Sequence, residues 1–146
     1  MPKLVYFVIP ALVLIGYLLV SMRSGPLPAN VSRSELTGQV LASDPNLLVV
    51  DIRTPEEWEE TGVIENAALV TFTASDSFFK AIEVRRSPGQ KIALVCRSGN
   101  RSDAAARQIA QQVDADVIDV AGGMNRILKE GYKPVKPLPE MGCGSC

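Results

Sequence analysis

The sequence predicts an α/β domain, a small doubly wound and mostly parallel sheet flanked by helices, preceded by one transmembrane helix. Three observations carry this. Apolar runs at residues 47–52, 91–96 and 117–120 read as strands, the first nearly continuous, as in a parallel strand covered on both faces. These runs alternate with segments of helical pattern, which places helices on both sides of a parallel sheet. Residues 4–22 carry no charge at all; as a helix they would span about 28 Å at ~1.5 Å per residue, close to a ~30 Å hydrocarbon core.

Residues 1–23 are the predicted anchor. Pro10 and Gly16 are tolerable within it, since membrane helices accept both. A cleaved signal peptide has a shorter apolar run and a small-residue cleavage site, and here Pro26, Leu27 and Pro28 fill that place. The segment therefore reads as an uncleaved, single-pass membrane contact. Lys3 lies before the span and Arg23 beyond it, so positive charge hardly orients it. A single N-terminal span often acts as an export signal, which favours a soluble domain on the periplasmic or extracytoplasmic side.

Residues 24–31, with Gly25, Pro26 and Pro28, read as a linker to a domain over residues 32–134. Ser32 or Ser34 caps a predicted helix to about Leu41, with Leu36 and Val40 on one face. Asp44-Pro45-Asn46 turns the chain into the first apolar run. Thr54-Pro55-Glu56-Glu57 opens a helix to near Gly62, with a cap, a proline at the first position and acids in the first turn. Glu56, Glu57, Glu59 and Glu60 read as its solvated face, and Trp58 as core. Residues 63–71 are a connector with a short strand near Ala68-Leu69-Val70. A helix over 76–86 presents Phe78, Phe79 and Ile82, and Ser87-Pro88-Gly89 turns into the strand ending at Cys96. A helix to about Val113, the strand at 117–120 and a last helix over 124–130 complete the domain. Residues 135–146, with Pro137 and Pro139, predict an extended tail outside the packed domain.

The chain has 146 residues, 47% of them hydrophobic and 21% charged, and a net charge of -1. That leaves room for one domain and offers no basic stripe, so no nucleic-acid partner is expected. Histidine is absent. This excludes imidazole-based proteases and hydrolases, and any histidine-containing zinc site; no metal and no cofactor is predicted.

The chemistry concentrates in Cys96-Arg97-Ser98-Gly99-Asn100-Arg101, directly after Ile92-Ala93-Leu94-Val95. Ser102-Asp103-Ala104-Ala105-Ala106 then reads as a helix start, with a cap followed by strong helix formers. A strand, a tight loop and a helix N-terminus aim backbone N–H groups and the positive end of a helix dipole at the thiol, which favours the reactive thiolate. A core cysteine that merely ends a strand has no need of two arginines within five residues.

Three places resemble the rhodanese-like domain family, best known for thiosulfate sulfurtransferases. Asp51-Ile52-Arg53-Thr54-Pro55-Glu56-Glu57-Trp58 resembles its acidic–apolar–Arg signature. Cys96-Arg97-Ser98-Gly99-Asn100-Arg101-Ser102 resembles its active-site loop. Ala121-Gly122-Gly123-Met124, with Gly131-Tyr132-Lys133-Pro134, resembles its C-terminal end. The resemblance covers residues 34–134. In one place it departs: the family commonly has Gly-His-Ile-Pro-Gly-Ala where this chain has Gly62-Val63-Ile64-Glu65-Asn66-Ala67. That is a connector, so altered local packing with retained chemistry is expected.

The resemblance implies a sulfurtransferase in which Cys96 takes a sulfane sulfur from thiosulfate or a similar small anionic donor. Cys96 would hold it as a persulfide and pass it to a thiol or cyanide acceptor. Backbone N–H groups of residues 97–101 would ring the sulfur charge, with Gly99 permitting the tight turn and Arg97 and Arg101 attracting the donor. Ser98 and Asn100 would bond the substrate or shape the loop. No proton shuttle is required, in keeping with the missing histidine. Asp51 and Arg53 read as structural, with Arg53 pairing with Glu57, for instance. Cysteine phosphatases and arsenate reductases are a weaker alternative, because they place five residues between Cys and Arg and here there are four. A catalytically silent binding or redox-sensing module is another. Cys143 and Cys146 form a terminal C-x-x-C: a thiol pair that relays sulfur, half a metal site, or a flexible tail with a short disulfide.

Overall fold

The structure, a computed structural model, describes residues 27–146. The predicted membrane segment, residues 4–22, lies outside the described residues; among these, no helix is long and apolar enough to cross a membrane.

Among the described residues five strands form one parallel sheet. They are β1 (Val31–Ser34), β2 (Leu47–Asp51), β3 (Ala68–Leu69), β4 (Lys91–Val95) and β5 (Val117–Val120), in the spatial order β1-β5-β4-β2-β3. Between and after them come α1 (Gly38–Ser43), α2 (Pro55–Thr61), α3 (Asp76–Arg85), α4 (Asn100–Gln112) and α5 (Gly123–Lys129). Strand alternation sends neighbouring residues to opposite faces. Leu48, Val50, Ile92 and Leu94 pack under Phe78 and Ile82 of α3 and Ala105, Ala106 and Ile109 of α4. Val49, Ala93 and Val95 pack against Leu41 of α1, Trp58 of α2, and Met124 and Ile127 of α5. Helices thus cover both faces, as the alternating sequence pattern predicts.

β4 is the middle strand, between β5 and β2, so the chain leaves it at the centre of the sheet's C-terminal edge. That is where ligands bind in open parallel sheets. Cys96 follows directly.

Two sequence expectations are corrected. Residues 31–34 are an edge strand, not a helix start: Val31 to Ser34 pair in register with Val117 to Val120. The first helix is only α1, capped by the Thr37 hydroxyl, which accepts from the Val40 N–H. Serines are good caps, but here the ladder to β5 claims their backbone groups. The tail is not outside the domain either. Val135 exchanges backbone hydrogen bonds with Val63 at 2.9 and 3.0 Å, and Cys143 is fully buried among the residues under α2.

Candidate active site

β4 delivers Cys96 to the C-terminal edge fully buried. The next three residues turn the chain into α4, whose N-cap is Gly99 at φ 94°. Its N–H donates to Cys96 Sγ at 3.0 Å. A side chain at Gly99 would be strained by that backbone angle and would stand 2.9 Å from the Gly122 nitrogen.

The loop is clamped from behind by α5. The carbonyls of Cys96 and Arg97 accept from the N–H groups of Met124 and Asn125 at 2.8 and 3.0 Å. Gly123 makes this approach feasible, since a Cβ there would lie 2.2 Å from the Cys96 oxygen. Two carbonyls are thus tied to the N-terminal turn of α5, while the Gly99 N–H faces the sulfur.

Beneath the sulfur lies a polar chain that the sequence reading does not contain. Ser102 is no cap: it sits buried in the first turn of α4, with its hydroxyl 3.5 Å from Cys96 Sγ. That hydroxyl lies 3.2 Å from the Gly99 carbonyl and donates to Asp119 Oδ1 at 2.5 Å. Asp119, in β5, is fully buried, and Arg33 Nε approaches its other oxygen at 3.6 Å. Burial holds the Asp119 carboxyl above the usual carboxylate range, against the Ser102 hydrogen bond and the Arg33 charge; Asp103 adds to the rise. An acid inside the apolar run Val117-Ile118-Asp119-Val120 was the visible signal.

Above the sulfur the rim is charged. Arg101 pairs with Glu57 at 2.5 Å, so Glu57 is not simply part of a solvated face. The Arg101 hydrogen bond holds the Glu57 carboxyl below its usual range, although partial burial opposes it. Glu57 also closes the capping box of α2 with Thr54. Arg97, Ser98 and Asn100 are exposed, with Arg97 3.9 Å from Glu60.

At the end of β2, Arg53 is buried and structural, but its carboxylate partner is Asp51 rather than Glu57. Nε and Nη2 reach the Asp51 carboxylate at 2.7–3.0 Å. The remaining donors bond the Glu57 carbonyl, the Thr61 hydroxyl and the Gly62 carbonyl. Arg53 thereby ties the C-terminal end of α2 to the sheet.

Residues 36–130 match the rhodanese-like domain family. The chain belongs to that family. A sulfurtransferase of Allochromatium vinosum is 33% identical over 107 residues, 71% of this chain and 92% of that protein. A rhodanese-related protein of Thermoplasma volcanium superposes with a TM-score of 0.52 at 25% identity, covering 73% of this chain and 100% of its own. The polysulfide-sulfur transferase homodimer of Wolinella succinogenes gives 0.57 at 17% identity, covering 75% and 81%, which shows the shared fold.

Within this rhodanese-like domain the connector that departs from the family pattern is part of the core. Val63 and Ile64 are fully buried, and Asn66 takes the left-handed conformation at φ 62°. Asparagine is among the side chains that tolerate that region. Cys143 and Cys146 are joined in a disulfide. Cys143 packs on the α2 side of the sheet, whereas Cys96 belongs to the cluster under α3 and α4. The pair is therefore not assembled beside the reactive loop.

Proposed function

We propose that this rhodanese-like domain is a sulfurtransferase that carries a sulfane sulfur on Cys96. The observation that supports it most directly is the Gly99 N–H at 3.0 Å from Sγ, in a loop that opens a helix. That arrangement is built to hold negative charge on sulfur. The sulfurtransferase relative, matched over 92% of its length, agrees with the reading.

The Cys96 thiolate attacks the outer sulfur of thiosulfate. The donor's S–S bond breaks, and sulfite leaves with the bonding pair. The persulfide's terminal sulfur is anionic, and the backbone N–H groups of Arg97, Ser98, Gly99, Asn100 and Arg101 surround it. An acceptor thiolate or cyanide then attacks that outer sulfur and releases the Cys96 thiolate, giving ping-pong kinetics. Arg97 and Arg101 draw in the anionic donor, and the exposed Arg97, only loosely paired with Glu60, meets it first.

Thiocyanate formation from thiosulfate and cyanide tests this. The wild type should turn over, and its Cys96 should gain the mass of one sulfur atom after thiosulfate alone. Cys96→Ser should lose both. Complete burial of Cys96 favours a second reading, a silent binding or redox-sensing module; an unmodified Cys96 would decide for it. Phosphate release from an aryl phosphate would instead revive the phosphatase alternative.

The uncharged run at residues 4–22 supports a single-pass tether. The Cys143–Cys146 disulfide suits an extracytoplasmic side, where such bonds persist. A reporter fused to the C-terminus reads out the side.

A further inference from the structure

Asp119 makes no contact with the sulfur in the two displacements, yet it is held where a charge is costly. Among the described residues its Oδ2 has no hydrogen-bond partner, and its ion pair with the half-exposed Arg33 is long, at 3.6 Å. A buried carboxylate with one oxygen outside any hydrogen bond and only a long ion pair is a cost to the fold. What it does hold is Ser102, and Ser102 touches the sulfur.

A hydroxyl has one proton to give. Three acceptors surround the one on Ser102: Gly99 O at 3.2 Å, Asp119 Oδ1 at 2.5 Å and Cys96 Sγ at 3.5 Å. When Asp119 is ionised, its oxygen takes that proton. The Ser102 lone pair then faces the sulfur and accepts from a Cys96 S–H. When Asp119 carries a proton, its O–H donates to Ser102, and the Ser102 hydroxyl turns to donate to a Cys96 thiolate. The two arrangements differ by two proton shifts, Sγ to Ser102 and Ser102 to Asp119. One negative charge moves from carboxylate to sulfur, and the net charge of the buried site is unchanged.

We propose that Asp119 is a positioning residue for Cys96: acting through the Ser102 hydroxyl, its carboxyl takes up and keeps the proton that the thiol gives up. This rests on the sulfurtransferase reading for its purpose. The proton leaves sulfur once and stays on Asp119 while sulfur is loaded and removed, because both displacements begin and end with anionic sulfur. Burial favours the neutral carboxyl, which suits that task. The charged and titratable groups facing the pair are Arg33 from β1, Asp103 from α4 and, on the sulfur side, Arg101, itself held by Glu57.

The test uses the full chain and follows thiolate ultraviolet absorbance against pH, as the difference from Cys96→Ser. It needs neither a sulfur donor nor access to the buried sulfur. If the proton is shared as proposed, the thiolate absorbance of the wild type should rise in two steps, one of them set by Asp119. Asp119→Asn should leave one step, shifted to lower pH, since the Asn amide donates to Ser102 as the protonated acid would. Ser102→Ala should remove the coupling, and Asp119→Asn added to it should shift nothing further; Ser102→Thr, which keeps a hydroxyl, should restore the two steps. Identical wild-type and Asp119→Asn profiles would overturn the proposal. So would an Asp119→Asn shift that persists in the Ser102→Ala background, which would show that the carboxylate acts through space. Absence of turnover in the wild type would remove the sulfurtransferase reading and leave these titrations unaffected.

Discussion

Asp51 closes β2 and Asp119 lies near the end of β5, so the two strands flanking β4 each carry one buried acid. Asp51 is opposite Val95 and Asp119 opposite Leu94, nearly mirror positions about the strand that presents Cys96. Their surroundings differ completely. Asp51 meets a buried guanidinium through both oxygens, and the donors that Arg53 has left bond the end of α2. Asp119 has one short hydrogen bond, one oxygen without any, and a distant arginine. A buried ion whose partners are all supplied holds elements together. One left incompletely supplied keeps a proton equilibrium within reach.

The largest effect expected from breaking this contrast is on the Asp51 side. Arg53→Met leaves the Asp51 carboxylate uncompensated and should cost about 3–5 kcal/mol of stability, read from urea unfolding. A loss under about 1 kcal/mol would mean that Arg53 is not the anchor of α2. On the other side, Asp119→Asn should change stability in a pH-dependent way. A carboxyl raised in the folded state adds nothing while both states are protonated. It then works against folding as pH rises from the ordinary carboxylate range through its raised value. Asp119→Asn should therefore gain on the wild type as pH rises through that window, and a constant difference across it would count against the burial effect.

The smallest effect belongs to the rim. Glu57 has the opposite sign: its carboxyl is lowered by Arg101, so its contribution is present above the ordinary glutamate range and lost as pH falls through the folded value. The pair is partly exposed, so Glu57→Gln should cost only about 0.5 kcal/mol. It also frees Arg101, and KM for thiosulfate should fall while kcat holds. An unchanged KM would show that Arg101 does not meet the donor.

The reactive loop was legible because its parts are contiguous: strand, cysteine, glycine and helix start follow one another. The Thr54 cap and the proline that open α2 were legible for the same reason, as neighbours in the chain. Ser102 was visible but misassigned, because a hydroxyl before an alanine run reads as a cap when its true neighbours lie elsewhere in the chain. Glu57 could be placed on α2, yet its carboxylate goes to Arg101, 44 positions away. Asp119 could be flagged only as an odd acid in an apolar run.

The sequence by itself determined the alternation of strands and helices and the loop around Cys96, since hydrophobic period, caps and a left-handed glycine are local preferences. Tertiary structure alone decided that residues 31–34 join β5 as a strand, that the tail packs back under α2, and which groups meet the two buried acids. Those outcomes depend on backbone and side-chain partners brought together from distant parts of the chain, and no local preference specifies a partner.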